Sequence, residues 1–311
     1  MIEITLIGTS ALLPLPGRAL TAALLTCGGR SVLFDCGEGT QTAARRAGVS
    51  PMKTDLIALT HYHGDHIFGL PGLMQTMCSL GRTDPLFITG PEGLEEALAP
   101  ILELAGWTSY DIRLIGLPEG GARMADLMDG WPEEARLCAF PTEHRTPSRG
   151  YCFTLDRAGK FLPERAAALG VPKALWGPLQ KGHGVTFDGR TVLPEQVLGA
   201  PRKGLKFVFS GDTARCGALT AAAEGADLAI LDATYAEDEQ AELAESHGHM
   251  NFAQAAETAA MAGVKELWLA HFSQMIGEPE AFIDNAKRSF PNTVCGRDGM
   301  SKTLRFDREE Q

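Results

Sequence analysis

A short segment of the chain is unusually rich in side chains that bind divalent metal ions. The segment His61–His66, with the sequence HYHGDH, contains three imidazoles and one carboxylate. Both groups suit zinc or a similar divalent ion. On an extended chain His61 and His63 would face the same way. A turn at Gly64 would then let Asp65 and His66 face a second ion, so the motif predicts a two-metal site.

Three further candidate ligands follow apolar runs elsewhere in the chain. His144, Asp212 and His271 come after the runs 137–140, 207–209 and 267–270. A lone histidine after a strand is more often a surface or capping residue, but the HYHGDH motif makes a ligand role the better interpretation. Because the Asp212 carboxylate has two oxygens, it can bridge two cations about 3.5–4 Å apart, as in two-metal hydrolysis.

The elements that would position these residues alternate between strands and helices. Apolar runs predict strands at 4–7, 31–34, 56–59, 86–88, 207–209, 228–231 and 267–270. Helical spacing is present at 93–104, 218–224 and 252–261. This alternation predicts a layered α/β domain whose strand ends hold the candidate ligands. Residues 157–204 are instead rich in Pro, Gly, Lys and Arg, which indicates a projecting insertion.

Composition limits the class of protein. The 311 residues are 44% hydrophobic, enough for one large globular core. We expect a cytoplasmic protein without a membrane span, because neither a signal peptide nor a long apolar run is present. Seven scattered cysteines indicate reduced thiols. The net charge of −11 argues against a surface uniformly dedicated to nucleic acid, although a local basic patch would still bind phosphates.

The order of the motifs resembles the ribonuclease Z family of the metallo-β-lactamase superfamily. The similarity includes LIGTS at 6–10, FDCGEGTQ at 34–41, THYHGDHIFGLPGL at 60–73 and GDT at 211–213. It implies one α/β domain over residues 1–311 with a four-layer αββα fold. It also implies an endoribonuclease that removes the 3′ trailer of precursor tRNA. It further implies two zinc ions per chain, with manganese or iron as alternatives, and no nucleotide cofactor. The expected oligomeric state is a homodimer.

The same resemblance assigns roles to the candidate site residues. One zinc is implied for His61, His63 and His144, the other for Asp65, His66 and His271, with Asp212 between them. A histidine before a Gln-Ala-Ala helix acts near the scissile phosphate in the family, and His249 occupies that place with Asp65 as its partner in proton transfer. His247, two positions earlier, leaves this assignment open.

Substrate contacts are less clearly indicated. Residues 157–204 resemble the family's projecting arm, which grips the tRNA body, and we call this segment the arm. Lys181 and Trp176 could contact phosphates and stack, but a solvated hairpin explains the composition equally well. Of the lysine and Arg-Asn pair usual in the family's early loop, only Arg18 is kept. Asp232 stands within Leu-Asp-Ala-Thr, where His-Glu-Ala-Thr is more common.

Two alternative functions stay open at this point. The first is a hydrolase of the same fold that acts on a small phosphodiester, sulfate ester or lactone, with the arm serving dimerisation. It predicts small-ester turnover that does not depend on the arm. The second is a metal-stabilised RNA-binding protein without activity, which the complete set of candidate ligands disfavours.

Overall fold

The computed structural model describes residues 1–307, and its strands form two large sheets and one hairpin. The strands are β1 (Ile2–Gly8), β2 (Ala22–Cys27), β3 (Arg30–Phe34), β4 (Thr54–Ala58), β5 (Leu86–Thr89), β6 (Ile112–Leu114), β7 (Ala122–Arg123), β8 (Ala135–Pro141), β9 (Arg149–Arg157), β10 (Val185–Phe187), β11 (Arg190–Val192), β12 (Arg202–Phe209), β13 (Leu228–Asp232), β14 (Leu267–Ala270), β15 (Thr293–Cys295) and β16 (Ser301–Leu304). The first sheet has the order β16-β1-β2-β3-β4-β5-β6 and the second β15-β14-β13-β12-β9-β8-β7. Strands β10 and β11 pair with each other.

Helices lie on the outer faces of both sheets, and further short helices lie in the arm and in loops. They are α1 (Thr40–Arg46), α2 (Gly64–Ile67), α3 (Leu70–Ser79), α4 (Leu94–Ala105), α5 (Met124–Leu127), α6 (Pro163–Ala168), α7 (Trp176–Gln180), α8 (Gly217–Ala223), α9 (Ala241–His247), α10 (Phe252–Met261) and α11 (Ile283–Lys287). None of the helices within residues 1–307 is long and apolar enough to cross a bilayer.

The alternation of side chains along the strands explains the layers. In β12, Phe207 and Phe209 enter the core between the two sheets, whereas Val208 joins the core under α8 and α10. In β4, Leu56 packs between the sheets and Ile57 faces the core of α1, α3 and α4. Successive residues of a strand point to opposite faces, so strands apolar on both faces must be covered on both sides. The result is the expected helix-sheet-sheet-helix arrangement.

The predicted strands and helices are confirmed, but several further strands are present. Each of the seven predicted strands forms, and the three predicted helices correspond to α4, α8 and α10. Strands β2, β6, β7, β9, β10, β11, β15 and β16 were not predicted. Strand β9 carries arginines at both ends and β16 begins with three consecutive polar residues, so neither is a continuous apolar run. Their partners in the sheet decide their conformation, which composition alone does not reveal.

The arm leaves and rejoins the second sheet at one place. Strands β9 and β12, which flank it, are antiparallel neighbours with Arg157 opposite Arg202. At its base the Gly199 N–H donates to the Lys160 carbonyl over 2.8 Å. Helices α6 and α7 and the β10–β11 hairpin share a small apolar core of their own, made of Ala166, Val171, Leu179, Val185, Val192 and Val197.

Candidate metal centre

The candidate ligands converge at the carboxyl ends of parallel strands. His61 follows β4, Asp212 follows β12 and His271 directly follows β14. Strands β3 to β6 are parallel in the first sheet, as are β12 to β15 in the second, so these loops meet at one edge. They surround a cavity of about 660 Å³ that His63, His144 and Asp65 also line. Loops at such strand ends are the usual position of ligand sites in α/β folds.

One group of ligand atoms lies on the side of the cavity formed by the loops after β4 and β8. The His61 Nε2 and His63 Nδ1 atoms are 2.9 Å apart, and His144 Nε2 is 3.3 Å from the same His63 atom. The Asp212 Oδ2 atom lies 3.7 Å from His61 Nε2. A tetrahedral zinc site with bonds of about 2.0–2.1 Å has its ligands about 3.3–3.4 Å apart. This group therefore has the dimensions of a metal site.

A second group of similar dimensions lies beside the first. The Asp65 Oδ2 atom is 3.5 Å from His66 Nε2 and 3.6 Å from His271 Nε2. The Asp212 Oδ1 atom is 3.4 Å from His66 Nε2 and 3.2 Å from His271 Nε2. Asp212 thus directs one oxygen to each group. Its two oxygens allow the two groups to share it as a bridge.

Unpartnered polar atoms indicate what these groups are built to hold. His66 Nε2, His271 Nε2 and Asp212 Oδ1 are buried and make no hydrogen bond. Leaving such atoms unpaired costs about 1–3 kcal/mol each. They face one another at ligand spacing, so a shared cation would satisfy all three. The histidine and aspartate donor set therefore fits divalent metal ions.

Pairs of threonine and aspartate orient the ligand imidazoles. The Thr60 hydroxyl accepts from His61 Nδ1 over 3.1 Å and donates to Asp35 over 2.9 Å, and Asp35 also accepts from His66 Nδ1 over 2.8 Å. On the opposite sheet the Thr234 hydroxyl lies 2.8 Å from His271 Nδ1. These contacts place the proton on Nδ1 and leave Nε2 free to bind metal.

The backbone at two of these residues is held in a left-handed conformation. Asp35 has φ 59° and His271 has φ 64°. Such angles are uncommon outside glycine and concentrate where the surrounding structure enforces them, often at functional sites. Both side chains are almost fully buried, at 0% and 4% exposure. The local backbone is therefore bent to aim these groups at the metal-binding atoms.

His144 is positioned by the end of helix α9. Its Nδ1 lies 2.9 Å from the Gly248 carbonyl, which fixes the ring so that Nε2 faces His63. Gly248 ends the helix with φ 75°, and a Cβ at this position would lie 2.8 Å from His144 Nδ1. A glycine is thus required both by the turn and by the close approach of the imidazole.

His249, which is partly buried, pairs with a buried aspartate. Its Nδ1 lies 2.7 Å from Asp232 Oδ2, and the ring stacks on His271 at a centroid distance of 5.4 Å. Asp232 also accepts from the Thr213 amide, the Thr234 amide and the Thr234 hydroxyl. Although Asp232 lies near Asp212 and His271, these bonds occupy its oxygens. It therefore orients His249, whose Nε2 makes no hydrogen bond within residues 1–307.

The pKa shifts of His61, Asp212 and His249 agree with these roles, whereas that of His66 does not: burial would lower its pKa, but the charges of Asp212 and Asp35 raise it well above the usual value. Burial and the neighbouring His66 lower the pKa of His61 well below its usual value, so this ligand is neutral. Burial alone would raise the pKa of Asp212, but His271, His66 and His61 lower it well below the usual value. Burial lowers the pKa of His249, while the Asp232 charge and hydrogen bond raise it more strongly, to about 9. Bound cations would counteract part of this rise.

The remaining predicted site residues are engaged in other contacts or exposed to solvent. His247 lines the cavity, but its Nδ1 is 2.6 Å from the Tyr235 hydroxyl. The Arg18 guanidinium donates to the carbonyls of Ile276 and Gly277 and does not line the metal cavity. The Trp176 indole donates to the Val171 carbonyl and packs on Phe161 within the arm. Lys181 is exposed at the end of α7.

The sequence interpretation missed three residues that organise the site. Asp35, Thr60 and Thr234 bind the ligand imidazoles, and each directly follows a strand or lies within two residues of its end. Their positions in the chain gave a signal, since Asp35 and Thr60 lie inside the motifs around 34–41 and 60–73. Nothing in the sequence says which histidine each one meets.

Comparisons with known proteins agree with this fold and site. Residues 17–76 match the model of the metallo-beta-lactamase superfamily, and residues 178–272 match a beta-lactamase superfamily domain. Fold and ligand groups together define a metal-dependent hydrolase of the metallo-β-lactamase superfamily.

Full-length relatives narrow the class. The chain is 40% identical to the ribonuclease Z of Lachnoclostridium phytofermentans, with 100% of each chain covered. It is also 40% identical to the ribonuclease Z of Agathobacter rectalis, over 99% of this chain and 100% of the relative. Human tRNase Z, short form, superposes with a TM-score of 0.67 at 27% identity, covering 98% of this chain and all of the human one. The chain belongs to the ribonuclease Z family.

Proposed function

We propose that this chain is a zinc-dependent endoribonuclease that hydrolyses a phosphodiester bond to remove the 3′ trailer of precursor tRNA. The observation that carries the proposal is the pair of ligand groups on either side of Asp212, in a chain that belongs to the ribonuclease Z family. Five imidazoles and two carboxylates, at the spacing expected for tetrahedral sites, favour zinc over ions that prefer oxygen ligands. His61, His63 and His144 would hold one ion, Asp65, His66 and His271 the other, and Asp212 both.

Zinc ions bound to these groups would lower the pKa of water from 15.7 toward about 7 and neutralise charge on the phosphate. Asp65 is suited to orient the attacking water and take its proton. Its Oδ2 faces His66 and His271 and accepts from the Leu12 amide, whereas its Oδ1 makes no hydrogen bond within the described chain. The free oxygen is therefore available for the proton.

His249 is suited to act on the opposite side of the reaction. Asp232 holds its Nδ1, so Nε2 can donate to the leaving 3′ oxygen or stabilise charge on the phosphorane. His247 is the weaker candidate because Tyr235 already engages its ring. The arm would bind the tRNA body away from the metals, with its Lys and Arg side chains on phosphates. A homodimer and a cytoplasmic location remain predictions.

The test is cleavage of a labelled precursor tRNA that carries a 3′ trailer. Zinc-loaded wild-type protein should cut just past the discriminator nucleotide, and the Asp65→Ala variant should not. Sequencing of both product ends locates the cut. Turnover of a small phosphodiester without any tRNA cleavage would reject the tRNA substrate and favour the small-ester hydrolase.

A further inference from the structure

Leu12, at the mouth of the metal cavity, has an unusual backbone conformation. Within residues 1–307 the non-glycine residues with positive φ are Leu12, Asp35, Asp188 and His271. Aspartate and histidine tolerate this region better than most residues, but a bulky leucine with φ 63° is a true outlier. Such strain persists where neighbouring contacts enforce it and often marks a functional site.

The contacts that enforce this conformation involve the proposed catalytic carboxylate. The Leu12 amide donates to Asp65 Oδ2 over 2.8 Å. On either side, the Ala11 amide donates to the Phe272 carbonyl over 2.9 Å and the Ser10 hydroxyl donates to the Leu13 carbonyl over 2.8 Å. The loop is thus fixed at both ends, and the backbone of Leu12 is tied to the site. Its side chain, however, is 66% exposed and stabilises no core.

Leu12 belongs to a group of exposed apolar side chains on one flank of the cavity. Leu13 is 45% exposed and Phe68 is 68% exposed, and both line the cavity with Leu12. The Phe68 ring covers the backbone between His63 and Asp65, because a Cβ added to Gly64 would lie 2.3 Å from its Cε2. We call Leu12, Leu13 and Phe68 the apolar lip. Exposed apolar groups gathered at a cavity indicate a ligand-binding surface.

The charge of the cavity agrees with an apolar contact to substrate. Arg145 is the one lysine or arginine among its lining residues, and it stands with His144 rather than with the lip. Phosphates next to the scissile bond therefore find few fixed cations on the lip. An unpaired nucleobase, in contrast, has a π-face that stacks on aromatic and aliphatic side chains without any charge.

We propose that the apolar lip binds the nucleobase of the first trailer nucleotide, immediately 3′ of the scissile phosphate. This inference rests on the proposed function. The Leu12 amide is bound to Asp65, the candidate acceptor of the proton from the attacking water, whereas His249 is the candidate donor to the leaving 3′ oxygen, and in an in-line displacement these two oxygens are on opposite sides of the phosphorus. The lip is therefore on the trailer side. Leu12 acts as a specificity-determining residue: its amide holds Asp65 and its side chain contacts the base.

The experiment compares two precursor tRNAs that differ at one nucleotide. One has an ordinary first trailer nucleotide and the other an abasic residue there. The wild-type protein should cut the abasic substrate with kcat/KM lower by roughly 5- to 150-fold, the range expected for the loss of one base stack. The ratio of kcat/KM for the ordinary substrate to kcat/KM for the abasic substrate should fall toward 1 in two variants. These are Leu12→Gly, which keeps the amide and accepts a positive φ, and Phe68→Ala.

Controls separate the lip from general effects. Leu104→Ala removes another exposed leucine, from α4 and outside the cavity, and should keep the wild-type ratio. Equal cleavage of both substrates by the wild type would overturn the proposal that the lip binds this base. A wild-type ratio of the two kcat/KM values in Leu12→Gly, with normal zinc content, would overturn it as well. The proposal would also fail if kcat/KM of the wild-type protein decreased only when the abasic residue is moved to the 5′ side of the cut. No cleavage of either substrate would reject the proposed function together with this inference.

Discussion

Asp212 connects the two ligand groups through its two oxygens. Its Oδ1 faces His66 and His271, and its Oδ2 faces His61. Replacement with alanine would remove a ligand from each ion and leave the buried imidazoles without their common partner. We expect Asp212→Ala to lose most of both metals, as measured by inductively coupled plasma mass spectrometry. His249→Ala should keep them and lose rate, and full zinc occupancy in Asp212→Ala would reject the bridging role.

Asp232 is expected to act through His249 rather than on the substrate. In Asp232→Asn the partner of His249 Nδ1 is no longer a carboxylate, so the ring loses the interaction that fixes its tautomer. We expect kcat to fall about 10- to 100-fold, the usual range for such supporting groups, with KM and zinc content little changed. Single-turnover cleavage measures the change in rate, and metal analysis measures the zinc content.

Asp232→Glu is the matched variant, because it keeps the carboxylate and should retain more activity than Asp232→Asn. Zinc loss in both variants would point to a different role. It would assign Asp232 to the support of His271 through the Thr234 hydroxyl, which contacts both residues.

Helix ends determine whether the ligands meet at the right distance. Gly248 ends α9 with φ 75°, and a Cβ there would approach His144 Nδ1 to 2.8 Å. Gly263 follows α10 with φ 62° and has open space around it. Both Gly→Ala changes should cost roughly 1–2 kcal/mol of stability from the left-handed conformation. Only Gly248→Ala should also weaken zinc binding and activity, as thermal melts and zinc titrations would reveal; equal zinc affinity would contradict the steric argument.

The same elements explain how far the sequence could predict this site. His61, Asp212 and His271 follow apolar runs that can be read as strands, and parallel strands bring their ends together. The convergence of these side chains was therefore predictable. The orienting contacts were not, because Asp35 meets His66 from another strand end and Asp232 meets His249 from a different sheet loop. Such pairings depend on tertiary neighbours 31 and 17 residues away, which local spacing does not encode.

Over the whole molecule, the ligand groups join the two sheets. His61 and His66 belong to loops of the first sheet, and Asp212 and His271 to loops of the second. Bound ions would therefore stabilise the packing of one sheet on the other. A ligand at 1,000 times its Kd contributes about 4.1 kcal/mol. We expect a strong chelator to lower Tm by several degrees in differential scanning calorimetry, with recovery on addition of zinc; an unchanged Tm would contradict a metal-linked interface.

The arm differs from the rest of the chain in charge. It contains eight Lys or Arg and three Asp or Glu, a formal charge of +5, whereas the whole chain carries −11. Lys173, Lys181 and Arg190 are exposed on it. A basic segment on an acidic chain would hold a polyanion away from the metals, and its contribution should weaken as salt screens the phosphates.

Removal of the arm tests whether it binds the tRNA while the metal centre performs the hydrolysis. Its base is closed, since Gly199 N donates to the Lys160 carbonyl over 2.8 Å, and its apolar core is separate from the cores of the sheets. A short glycine linker in place of residues 161–198 should therefore leave the sheets intact, which circular dichroism would check. We expect turnover of bis(p-nitrophenyl) phosphate to persist and kcat/KM for precursor tRNA to fall by at least about tenfold, the loss of a few phosphate contacts.

A charge-reversal variant keeps the arm and asks the same question without a deletion. Changing Lys173, Lys181 and Arg190 to glutamate should lower tRNA cleavage and flatten its dependence on salt, because fewer counterions are released on binding. Small-ester turnover is the internal control in both variants. Undiminished tRNA cleavage in both would mean that the arm is a solvated hairpin with no part in substrate binding, and the tRNA body would then have to be held by the surface around the cavity.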